Sequence, residues 1–155
     1  MKNKAFTILE LIVAIFVMTV GVLGAYAVVQ QIIVYNSISS SRLTAAYLAQ
    51  EGIELVRNIR DTNWLTVPLV AWNNGLGASD WEADYNNGFL SNWIGDGNFL
   101  KYDSIAGYNY NSGTDTKFKR KITIFDETVN MFKVKVEITW PGNTVTAEEH
   151  LYNWR

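Results

Sequence analysis

Glu10 is the only charged residue between Ala5 and Arg42. A single acid on so apolar a stretch has to find a partner or a task, because at the centre of a bilayer it costs about 2.5 to 3.5 kcal/mol. Two lysines, Lys2 and Lys4, precede it, followed by the small Ala5 and the aromatic Phe6. A second set of chemistry-bearing residues lies far along the chain. Trp64, Trp72, Trp81 and Trp93 sit among Asn, Asp and Gly, and flat rings in that setting can stack on sugars or pack a loop onto a sheet. Asp96, Asp103 and Asp115 offer oxygen to a hard cation but lack the spacing of an EF-hand, and the stretch 95–98 reads as a turn. His150 is the sole histidine, without a cysteine or a serine in nucleophile context beside it. Gly95-x-Gly97 lacks the strand-turn-helix setting of a phosphate loop. No catalytic residue, no cofactor and no metal site are expected.

Composition narrows the classes further. The chain has 155 residues, 48% hydrophobic and 18% charged, with a formal net charge of −2, which suits one domain and gives no electrostatic footprint for nucleic acid. The absence of cysteine excludes disulfides and thiolate metal sites.

Helical periodicity organises the first third. Residues 6–29 are apolar nearly all round, as in a helix surrounded by lipid or by other apolar helices, and are long enough to cross a bilayer. Lysines before this run, and no basic residue after it until Arg42, predict a single pass through the cytoplasmic membrane with the N-terminus in the cytoplasm. From residue 30 to residue 60 the helix becomes amphipathic: Ile38, Ala45, Leu48, Ala49, Gly52, Val56 and Ile59 share one face. Arg57 and Asp61, four apart, form a weak pair on its surface. At 1.5 Å per residue the whole helix would run roughly 80 Å, so half of it must stand outside the roughly 30 Å hydrocarbon layer. Gly21 and Gly24 are its weak points.

Periodicity then breaks. Residues 61–117 hold seven of the eleven glycines and four of the six tryptophans, and so long a stretch without regular structure is usually functional. Three strands are expected after it, over 118–155. Phe118, Arg120, Ile122 and Ile124 alternate with polar residues, then Phe132 to Trp140 do the same. After the turn residues Pro141, Gly142 and Asn143, a third strand carries Val145, Ala147 and Leu151 inward. The expected fold class is α+β: a long N-terminal helix packed on a C-terminal antiparallel sheet, with a long loop between them.

The residues from Lys2 to Glu10 resemble the processing site of the type IV pilin family, which includes the pseudopilins of type II secretion. Segments 116–124 and 151–155 are similar to the corresponding parts of minor pilins. The resemblance implies a leader of residues 1–5, cut between Ala5 and Phe6 by prepilin peptidase, and N-methylation of Phe6. Ala5 stands where the family more often has Gly. It further implies that Glu10, fifth in the mature chain, pairs with the Phe6 amine of a neighbouring subunit. The implied partners are other pilin subunits, the peptidase, an inner-membrane assembly platform and, before assembly, lipid. The destination would be an extracellular filament or the cell surface. The implied function is structural, as a minor pilin of a type IV pilus. The alternatives are a pseudopilin, whose loop in some family members binds calcium, and a signal-anchored extracellular glycan-binding module that uses the four tryptophans. Ala25-Tyr26-Ala27 offers a further one, a conventionally secreted domain released after Ala27.

Overall fold

The structure, a computed structural model, describes residues 7–67, 70–86 and 88–154. Its first element is helix α1, Ile8–Leu65, of 58 residues. The chain divides into two compact units, Met1–Ser41 and Arg42–Arg155, and α1 contributes to each.

In the first unit the apolar side chains of α1 stand exposed: Ile12, Phe16, Val20, Leu23 and Val28 are all more than half accessible. The most apolar 18-residue window of the helix has a mean hydropathy of 2.5 and none of it is buried, so it is long and apolar enough to cross a membrane. Two of its hydroxyls fold back on the backbone. Thr19 Oγ1 donates to Phe16 O (2.8 Å) and Ser41 Oγ to Ser37 O (2.7 Å). Such bonds leave no hydroxyl proton seeking water, as an apolar solvent requires.

The second unit is an antiparallel sheet of seven strands with the later turns of α1 packed on it. The strands are β1 (Asp80–Glu82), β2 (Ser91–Asn92), β3 (Phe99–Asp103), β4 (Gly107–Asn109), β5 (Thr114–Thr128), β6 (Met131–Trp140) and β7 (Asn143–Tyr152). β5, fifteen residues long, is the hub: β6 lies along one side of it with β7 beyond, while β1 and β3 share the other side. β2 extends from β1 and β4 from β3. The register sets Ile122 opposite Val136, and Ile124 opposite Val134, so that the apolar members of both strands turn to one face. Ala45, Leu48, Ala49 and Val56 of α1 close that face, each no more than 2% exposed. The contact is tight at Gly52, where an added Cβ would fall 2.8 Å from Val136 Cγ1. The small residues of the helix face are what allow backbone and sheet to meet.

The α+β arrangement expected from the sequence is the one observed. Four details differ. The helix continues past Arg60 to Leu65, because Asn63 and Trp64 are buried and Asn63 Nδ2 donates to Trp72 O (3.1 Å) and Asn74 O (2.8 Å). Its last turn is held by tertiary bonds that helical periodicity does not encode. The stretch 61–117, expected to lack regular elements, contains β1 to β4; strands of two to five residues are too short to show a period. β5 starts at Thr114, four residues before the expected strand. Arg57 turns away from Asp61 to Glu54 and to Glu149 of β7 (2.6 Å), and Asp61 instead accepts from Arg60 (2.9 Å). Bonding to Glu149 raises the Arg57 pKa further.

Candidate functional site

The described residues singled out by the sequence are divided between the two units. Ala5 and Phe6, the expected cleavage and methylation positions, lie outside the described residues. Glu10 is in the first turn of α1 and exposed. Its backbone N–H donates to Thr7 O (3.1 Å) and lies 3.3 Å from Thr7 Oγ1. Thr7 is thus the N-cap and Glu10 the third helical residue, the T-x-x-E arrangement of a capping box. The T-x-x-E spacing is visible in the sequence, where Thr7 stands three residues before Glu10. A carboxylate there also faces the positive end of the helix dipole. Among the described residues no side chain pairs with it.

The four tryptophans are dispersed. Trp64, 6% exposed, meets Trp154 edge-on at 4.1 Å between centroids and carries the Arg60 guanidinium at 4.7 Å. Trp72 stacks on Phe132 at 5.0 Å. Trp81, on β1, packs against the core and donates from Nε1 to Gly77 O (2.9 Å). Trp93 donates from Nε1 to Gly95 O (3.0 Å), with its ring lying against Gly97. Each ring therefore fastens a different piece of stretch 61–117, and Trp93 borders an open groove.

Acids complete the fastening. Asp84, fully buried, accepts from the backbone N–H of Asn86 (2.9 Å) and of Tyr110 (3.1 Å). Glu82 accepts from Asn98 N (2.7 Å) and Nδ2 (2.8 Å). These carboxylates replace the missing strand ladder, since an irregular backbone still has to satisfy its buried N–H groups. The sequence hinted at this only through the neighbouring asparagines. Asp103 accepts from Ile105 N (2.8 Å) and Ala106 N (2.9 Å) across the β3–β4 turn, and these two bonds lower its pKa. Among the described residues no three His, Cys, Asp or Glu side chains converge as metal ligands. His150, on β7, lies 3.2 Å from Glu127 Oε2 and is half exposed.

Arg120, placed by its alternation on the apolar face of β5, is fully buried. Its guanidinium reaches Glu51 (3.2 Å) and Leu48 O (3.3 Å) on α1, and Ala83 O (2.5 Å) just after β1. Tyr110 OH donates to Arg120 O (3.2 Å). One side chain thereby ties helix, hub strand and the irregular stretch together.

Residues 1–26 match the family model described as the prokaryotic N-terminal methylation motif. No curated protein and no solved structure matches the chain. The motif, followed by the long apolar helix, is consistent with a type IV pilin-like protein.

Proposed function

We propose that this chain is a structural subunit, a minor pilin, of a type IV pilus, made as a precursor and processed by prepilin peptidase before Phe6. The observation that carries the reading is the methylation motif joined to an apolar helix whose sides are exposed and which bears one acid. Exposed apolar surface on that scale requires a cover. Lipid provides one before assembly, and the same helices of neighbouring subunits provide it within a filament. Cleavage creates an amine at Phe6, four residues before Glu10. In a filament the carboxylate of one subunit would accept from the amine of the next, since an ion buried among apolar helices is tolerable only when paired. The pairing would also fix axial register between subunits. The matched motif belongs to structural proteins of pilin type, and the proposed work is mechanical.

Intact mass and N-terminal sequencing of protein from native membranes test the processing. A chain beginning at Phe6 with one added methyl is the expected result. A chain beginning at Val28 would replace the filament subunit by a secreted domain, and an uncut chain by a signal anchor. Glu10→Gln should leave membrane insertion intact while abolishing incorporation into filaments, read by immunoblotting sheared filaments against membranes. The same motif serves pseudopilins of type II secretion. Recovery in sheared surface filaments supports the pilus, and retention with loss of secretion supports the pseudopilus.

A further inference from the structure

The groove beside Trp93 combines features that the helix and its motif do not use. It is an open concavity of about 870 Å³ where β1, β2 and the second half of β5 meet, with Ser79, Asp80, Asn92, Trp93, Phe125 and Asp126 among its lining. Two aromatic rings border it and both are held in place. Trp93 is fixed by its bond to Gly95 O and by Gly97, whose positive φ of 73° and missing Cβ admit the ring. Phe125, 41% exposed, lies under Lys133 Nζ at 5.0 Å. Asp80 is already engaged, accepting from Thr123 Oγ1 (2.7 Å) and pairing with Lys121 (2.8 Å). By contrast, the side chains of Ser79, Asn92 and Asp126 make no hydrogen bond among the described residues, and all three are exposed. The lysines beside the rings are paired with acids: Lys121, whose Nζ lies 5.9 Å from the Trp93 centroid, bonds Asp80, and Lys133 stands 3.9 Å from Glu148.

We propose that this groove binds a neutral oligosaccharide. Rigid aromatic surface accepts the C–H face of a pyranose, while uncommitted amide, hydroxyl and carboxylate groups at the rim accept and donate to its hydroxyls. Asp126, acceptor-only when ionised, turns away acidic sugars, because the lysines beside the two rings are already paired, Lys121 with Asp80 and Lys133 with Glu148. The proposal narrows the surface expected from the sequence: Trp64 and Trp72 are occupied by Trp154 and Phe132, Trp81 packs against the core, and Trp93 borders the groove. It uses nothing in residues 6–29 and so stands or falls separately from filament assembly.

The test is calorimetric titration of the full-length protein, in a detergent without a sugar head group. The probes are cellotetraose, maltotetraose and chitotetraose, with tetragalacturonate and tetralysine for comparison. Saturable binding of at least one neutral tetrasaccharide is expected, weakened about tenfold by Trp93→Ala and unchanged by Trp154→Ala, whose ring is exposed elsewhere. Because Trp93→Ala could also loosen the turn at Gly97, the double variant Asn92→Ala, Asp126→Ala provides a second reading and should weaken binding similarly. Binding of no neutral probe, binding of tetragalacturonate or tetralysine in preference to all of them, or full binding by the double variant would each overturn the proposal.

Discussion

At the scale of single residues, Arg120 and Tyr110 show how much of the second unit hangs on a few buried polar atoms. Arg120 is the largest fully buried side chain, and its charge is tolerated because Glu51 and two backbone carbonyls surround it. Arg120→Ala should destabilise the unit by roughly 3 to 5 kcal/mol, since it empties the site and strips its partners at once. Arg120→Met, which keeps most of the volume, should recover a good part of that loss. Thermal unfolding of both variants checks the order. Tyr110 is mostly buried, and burial raises its phenol pKa. Its contribution is therefore complete below the unfolded value of about 10 and disappears as the pH climbs toward the folded one. Tyr110→Phe should cost about 1 kcal/mol at neutral pH, for the lost bond to Arg120 O, and should flatten the decline in base. Urea midpoints at neutral and alkaline pH separate the two effects.

Among the elements, the helix is the one with two solvents. Its early turns expose apolar side chains all round, and its later turns bury Ala45, Ala49 and Gly52 against the sheet. The two demands meet in one uninterrupted element because both are helical in period and no proline intervenes. Gly52 is where the packing is least forgiving. Gly52→Ala gains up to about 1 kcal/mol of helix propensity. It also forces a methyl against Val136, a branched side chain with little rotamer freedom, and overpacking of that kind costs about 1 to 3 kcal/mol. A net loss in melting temperature is expected, and Val136→Ala in the same chain should reverse part of it.

For the molecule as a whole, stability and pH meet on the outer face of the sheet. There Asp80 joins β1 to β5 through Lys121 and Thr123, and the bond to Lys121 is the chief reason its pKa is lowered. A lowered carboxylate contributes fully above its unfolded pKa of about 3.9 and loses that contribution as the pH falls through the folded value. Asp80 is partly exposed, so the contribution is small and screened by salt. Melting temperature should fall below about pH 4, less steeply in Asp80→Asn and less steeply in high salt. Were the acid limb identical in Asp80→Asn, the strand-to-strand link would have no energetic weight. In the proposed filament, assembly should follow Glu10 and not Asp80.

What the sequence determined by itself was everything set by a long period or by local order along the chain. The apolar run, the single acid and the methylation motif are contiguous, so no folding is needed to see them. β6 and β7, and the apolar alternation of β5, were legible because ten or more residues repeat a period of two. Arg120 could be placed on the inner face by that alternation alone. The bonds that make its burial bearable come from Glu51, Leu48 and Ala83, distant in sequence, and only folding brings them together. The same holds for stretch 61–117. Its strands are too short to announce themselves, and its order rests on Asp84, Glu82 and Asn63 reaching backbone groups that no local pattern predicts. Four tryptophans looked alike in the sequence. Tertiary packing distinguished them, committing Trp64 and Trp72 to ring contacts and leaving Trp93 beside a groove, because burial depends on what the rest of the chain brings against a ring.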